Sequence, residues 1–197
     1  MLRDFPKLIN TENPEAKLTT AADALAGMKL PDGFKISLFA SEPDINQPIA
    51  LATDDRGRLW VAENYTYAQR ETNFDNNMRD RVVILEDNDD DGKFDKRTEF
   101  WDQGRRLTSV EIGYGGVWVL DAPNLLFIPD RDGDDVPDGE PVVMLDGWDD
   151  GAVRHNIVNG LRWGPDGWLY GRHGILATSH VGRPGATPDQ RTSLNCS

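Results

Sequence analysis

Two stretches carry residue types and spacing suited to a hard cation. Asp87-Asn88-Asp89-Asp90-Asp91-Gly92-Lys93-Phe94-Asp95 places Asp at positions 1, 3, 5 and 9, and Asp130-Arg131-Asp132-Gly133-Asp134-Asp135-Val136-Pro137-Asp138 does the same. Calcium takes about six to eight oxygens at about 2.3–2.6 Å, and a tight loop of alternating carboxylates turns them toward one point. The carbonyl at position 7 adds a backbone ligand. The predicted calcium ligands are therefore Asp87, Asp89, Asp91, Lys93 and Asp95 in one loop, and Asp130, Asp132, Asp134, Val136 and Asp138 in the other. Gly92 at position 6 permits the sharp turn. The second loop has Asp135 there, with its glycine earlier at Gly133, and is the weaker match. Position 12 is Thr98 or Pro141, so the bidentate Glu of a helix-flanked EF-hand is missing. Each nine-residue window holds five Asp and one basic residue, a net −4, within a chain whose net charge is −13. Charge packed that tightly costs free energy unless something positive sits among it. The alternative is a pair of solvated acidic turns without metal.

A second set of residues is suited to proton transfer and anion binding. It comprises Arg154-His155-Asn156, Arg172-His173, Arg105-Arg106 and Glu63-Asn64. Histidine titrates near neutrality and is the usual general base. Arginine forks match carboxylates. The competing assignments are a hydrogen-bonded structural His at a strand start and a Glu63 that pairs with one of the arginines. His180 and the single cysteine, Cys196, receive no role. Cys196 excludes an intrachain disulfide and any Cys-x-x-Cys motif. No nucleophile elbow, phosphate loop or zincin motif is present.

The elements that must position these residues are mostly strands. A polar arm leads into a short helix, with Thr20 and Asp23 as a capping pair and Gly27 as its stop. Phe34 to Phe39 alternates as a strand. Further strands are predicted at 49–53, 58–63, 81–86, 108–112, 116–120, 124–129, 141–145, 157–162 and 167–171. No βαβ alternation appears, so the class is all-β.

The strands repeat. Ile49 to Trp60 resembles Val158 to Tyr170, with Leu51 matching Leu161, Gly57 matching Gly167 and Trp60 matching Tyr170. Val110 to Trp118 is a third copy. Val82 to Asp87 matches Leu125 to Asp130 at a spacing of 43 residues, whereas Trp60 and Trp118 are 58 apart. The 15-residue difference falls in a long loop at about 64–80, and loops of that length are uncommon without a function. The expected architecture is a partial β-propeller, two blades plus the start of a third, with a short N-terminal helix. Residues 1–29 are the arm and helix, and 30–197 the N-terminal part of a propeller, six-bladed when complete, from a longer protein. A β-sandwich is the competing all-β architecture. In the propeller, the calcium loops and the first turn of each blade lie on one face. Glu63, Asn64, Arg106, His155, Asn156, Arg172 and His173 gather on the other.

Composition sets outer limits. The chain has 197 residues with six Trp and 9% aromatic content, enough for a packed core. Its charge argues against nucleic acid as a partner. The longest apolar runs, such as Val82 to Leu85, are short, and residues 1–7 show no apolar signal core.

Several of these motifs resemble known families. The Asp loops are similar to the calcium hairpins of integrin α-chain propellers. Pro31-Asp32-Gly33-Phe34-Lys35, Ala40-Ser41-Glu42-Pro43, Arg58 to Glu63, both Asp loops, His155 and the run Asn159 to Gly167 together resemble the membrane-bound dehydrogenase domain of large planctomycete-type proteins. The likeness covers about residues 20–197. That family is similar in turn to soluble quinoprotein glucose/sorbosone dehydrogenases, six-bladed propellers using pyrroloquinoline quinone (PQQ). The resemblance implies His155 as the base on a sugar or polyol hydroxyl, and Arg172, His173 and Arg106 as contacts to the cofactor. Glu63, Asn64 and Asn156 would bind substrate. It also implies export to a periplasmic or membrane-associated setting, and a cytochrome c-type domain downstream as electron acceptor. Two functions follow as expectations: a calcium-binding, quinone-dependent sugar or alcohol dehydrogenase, or a non-catalytic calcium-stabilised propeller that binds glycans or proteins.

Overall fold

The computed structural model describes residues 15–68, 72–151 and 158–195. It is an all-β chain with, among the described residues, one short α-helix, α1 (Ala21–Gly27). Thr20 caps the helix by accepting from the Asp23 N–H at 3.1 Å and donating its hydroxyl to the Asp23 carboxylate at 2.7 Å. Gly27 is the last helical residue, and the chain turns extended at Met28. Among the described residues, no helix is long and apolar enough to cross a membrane.

Two four-stranded antiparallel sheets follow in strict chain order. The first is β1 (Pro48–Thr53), β2 (Leu59–Glu63), β3 (Asp80–Glu86) and β4 (Lys96–Gly104). The second is β5 (Leu107–Ile112), β6 (Gly116–Asp121), β7 (Asn124–Pro129) and β8 (Val142–Leu145). Two smaller antiparallel pairs complete the chain: β9 (Asn159–Trp163) with β10 (Leu169–Arg172), and β11 (Ser179–Val181) with β12 (Thr192–Leu194). The first strands pack together, β1 on β5 and β5 on β9.

The main core lies between the first two sheets. Ala52, Trp60, Val82, Ile84 and Phe100 meet Val110, Val117, Val119 and Ile128 there. The opposite face of the first sheet buries Val61, Val83 and Leu85 under Phe39, Ala40 and Ile45 of the segment that leads into β1. A smaller cluster holding Leu120, Trp148 and Leu161 joins the second sheet to β9.

The repeat extends further than the motifs suggest. β3 and β7 occupy the same place in their sheets, and each fourth strand carries a bulge opposite the same step. Val82 faces Trp101 while Val83 faces Glu99, and Leu125 faces Leu145 while Leu126 faces Val143. An extra residue of this kind breaks the two-residue alternation. That is how Phe100 and Trp101, adjacent in sequence, enter one core. It also hides β4 from sequence reading, along with the charges expected of an edge strand.

One expected strand is absent. Residues 34–39 pair with no strand, and Phe34 is 71% exposed. The alternation is real, and Phe39 packs on the first sheet, but its backbone bond is to the β3–β4 loop, Phe94 N–H to Phe39 C=O at 3.3 Å.

Candidate functional site

Both Asp loops join the third and fourth strands of a sheet, β3 to β4 and β7 to β8. In each, one oxygen from positions 1, 3 and 5 comes within 4.8 Å of the others: Asp87, Asp89 and Asp91 in one, Asp130, Asp132 and Asp134 in the other. Oxygens on opposite sides of a calcium ion stand about 5 Å apart, so each trio can reach a single ion. Backbone donors hold the carboxylates in place. Gly92 N–H donates to Asp87 at 2.8 Å and Lys93 N–H to Asp91 at 2.8 Å. Gly133 N–H donates to Asp130 at 3.0 Å and Val136 N–H to Asp134 at 2.9 Å. Position 9 also fastens each loop. Asp95 accepts from the Asn88 N–H at 2.6 Å, and Asp138 from the Arg131 N–H at 2.7 Å, which closes each loop across its mouth. Burial pushes the Asp130 carboxyl up, and the neighbouring Asp135 and Asp134 charges add to it.

The two loops share one backbone despite their different glycines. Positions 4 and 6 are left-handed in both: Asp90 (φ 60°) and Gly92 (φ 84°), Gly133 (φ 70°) and Asp135 (φ 69°). Glycine and aspartate have exchanged places, which works because Asp tolerates this region better than most residues. The second loop is thus as well formed as the first. Its Asp135 points away from the cation cluster and grips Arg58, with Nη1 at 2.7 Å and Nη2 at 2.9 Å. Arg58, only 6% exposed, also binds Asp54 through Nε at 2.8 Å. Burial pulls the Arg58 guanidinium toward losing its proton, but Asp135 and Asp54 outweigh this and raise its pKa. Asp54 feels burial most, yet Trp60 Nε1 and Arg58 hold it below the usual carboxylate range. This clamp ties the first turn of one sheet to the Asp loop of the next.

The other end of the sheets carries a second joint. Asn64 donates to the Leu107 carbonyl at 2.8 Å, and Thr66 donates to the Arg105 carbonyl at 2.7 Å. Asp80, fully buried, accepts from the N–H groups of Thr66 (2.7 Å) and Leu107 (2.8 Å). Asp121 accepts from the N–H groups of Arg105 and Arg106 at 2.8 and 2.6 Å. Neither aspartate stands out in the sequence, because each is an ordinary polar residue at a strand end.

The predicted ligand residues take several roles. Glu63 is 0% exposed. Its carboxylate accepts from Asn46 N–H at 2.8 Å, Tyr65 OH at 2.9 Å and Arg97 Nη2 at 3.0 Å. It ties the arm to the sheet, and the buried Tyr65 hydroxyl, desolvated and beside this carboxylate, is pushed up to about 12. Arg106 forms an ion pair with Asp150 and lies over the Phe74 ring at 5.1 Å. Both ring nitrogens of His173 are engaged, Nδ1 with Gly174 C=O at 2.7 Å and Nε2 with Ser179 Oγ at 2.7 Å. His173 lines an apolar cavity of about 800 Å³ with Trp118, Trp148, Trp163 and Trp168. Asn64 and Arg172 line a different cleft of about 880 Å³, which crosses residues 47–51, 108–110 and 159–162. Arg154, His155, Asn156 and Cys196 lie outside the described residues. Arg172 also lines the first cavity beside His173, so two of the three side chains assigned to the quinone share that cavity, while Arg106 lines neither.

No curated protein and no solved structure matches this chain. One family, described as Domain of unknown function (DUF7133), matches residues 20–194. That span is most of the chain, which therefore belongs to the DUF7133 family.

Proposed function

We propose that this chain is a calcium-stabilised run of β-propeller blades. The carrying observation is the pair of Asp loops, placed identically in two successive sheets with the same backbone and the same three-carboxylate cluster. The blade reading is supported by two four-stranded meanders in chain order whose first strands pack on one another, as radial repetition of four-stranded sheets requires. Calcium in each loop would halve the charge of a net −4 window and fix the outer hairpin. Calorimetry with calcium on the purified chain is expected to show two sites and a raised melting temperature. Asp89→Asn and Asp132→Asn should each remove one site. Absence of heat and of any melting shift would refute the proposal.

For the whole protein, the resemblance to glucose/sorbosone dehydrogenases suggests quinone-dependent oxidation of a polyol or sugar, with His155 as base. PQQ would supply the two-electron acceptor. Arg172 is the residue here that could meet one of its carboxylates. The alternative for the same scaffold is binding of glycans or proteins without turnover.

A further inference from the structure

The cleft across the first strands has an unusual charge. Among the described residues that line it, the charged ones are Arg162 and Arg172, and none is Asp or Glu. The chain holds 34 acidic residues against 21 basic ones, so an acid-free, cationic cleft runs against its overall charge. Seven of the ten other described arginines are matched with carboxylates, and Arg58, Arg81, Arg97, Arg106 and Arg191 sit in ion pairs of short reach. Arg172 has no such partner among the described residues. Arg162 has only Glu111, whose Oε2 is 3.7 Å away, beyond hydrogen-bond reach, and is itself buried without a hydrogen bond.

The backbone makes room for one of these guanidinium groups. A Cβ built on Gly160 would stand 2.8 Å from both Nε and Nη2 of Arg172. Gly160 also has φ +68°. A side chain there would be strained and would displace the guanidinium. Glycine inside a strand often marks such a close approach. Ile49, Leu51 and Phe74 add an apolar wall, the usual partner of a few placed polar groups in a small-molecule site.

We propose that this cleft binds a small organic anion, gripped by Arg162 and Arg172 with Gly160 as the seat of the second guanidinium. A carboxylate or phosphate presents paired oxygens that match the guanidinium fork. A cleft lined by one sign of charge concentrates the opposite one. The site shares Arg172 with the dehydrogenase reading but needs no redox chemistry, and it places the second grip on Arg162, since Arg106 is engaged by Asp150.

The test is titration calorimetry of the purified chain at low ionic strength with succinate, benzene-1,3-dicarboxylate and phenyl phosphate. The carboxylate and phosphate arms separate the two anion chemistries. Saturable binding of at least one probe is expected, weakened roughly tenfold by Arg162→Gln or Arg172→Gln, the loss typical of a charge-assisted contact. Gly160→Ala should weaken it through displacement of Arg172. Lys35→Gln removes the same charge from the exposed arm and should leave binding unchanged. Melting temperatures confirm that the exposed arginine variants remain folded. No saturable binding by any probe would overturn the proposal, as would unchanged binding in Arg172→Gln or an equal loss in Lys35→Gln. Anion binding by a full-length protein that reduces no dye would sink the dehydrogenase reading and leave this site standing.

Discussion

At the residue scale, Asp80 shows what burial does to a carboxylate without a counter-ion. Its backbone donors are the Thr66 and Leu107 N–H groups, both neutral, and it forms no ion pair among the described residues. Burial dominates, the nearby Asp121 charge adds to it, and the carboxyl is pushed up to about 6 from its ordinary 3.8. The folded state therefore holds this proton more tightly than the unfolded chain does. The stability it contributes is complete below about pH 4 and is lost as the pH rises through about 6. A rise of that size is worth about 3 kcal/mol. The stability of the wild type relative to Asp80→Asn should fall by about that amount between pH 4 and 6 in denaturant titrations. A flat difference would show that Asp80 ionises freely in the fold. Arg79-Asp80-Arg81 reads as a solvated acid between two bases. The packing of Thr66, Gly104 and Leu107 around it makes it buried.

At the element scale, the Asp loops were legible and their division of labour was not. The positions 1, 3, 5 and 9 are plain in the sequence, but position 9 closes the loop while the first three cluster. Asp135 reads as a defect at a glycine position. It is the strut that holds Arg58. Asp135→Gly keeps the left-handed backbone and removes the strut. We expect it to retain both calcium sites by calorimetry and to lose about 1.5–3 kcal/mol of stability, the worth of hydrogen bonds to a charged group. Asp135→Ala should lose about 1–2 kcal/mol more, because alanine is strained at positive φ. Loss of a calcium site in Asp135→Gly would reassign Asp135 as a ligand. β4 was invisible for a related reason: a bulge puts Phe100 and Trp101 on one face, and periodicity is the only strand signal the sequence offers.

At the scale of the whole molecule, the dehydrogenase proposal is tested by turnover. If the protein is a dehydrogenase, dye reduction with a polyol or aldose should depend on added quinone and be abolished in His155→Ala. A folded, calcium-loaded protein that turns over no such substrate would be the non-catalytic scaffold. The sequence by itself determined the all-β class, the repeat of strand, turn and strand, the long loop after β2, and the Asp spacing. These are local properties, written in turn residues and in hydrophobic periods of a few positions. Tertiary structure decided the rest. It buried Glu63, tied up Arg106 and His173, joined Asp135 to Arg58 across 77 residues, and left Arg162 and Arg172 in an acid-free cleft. Whether a charged side chain is a ligand or a strut depends on which distant residue meets it, and that is settled only when the sheets pack.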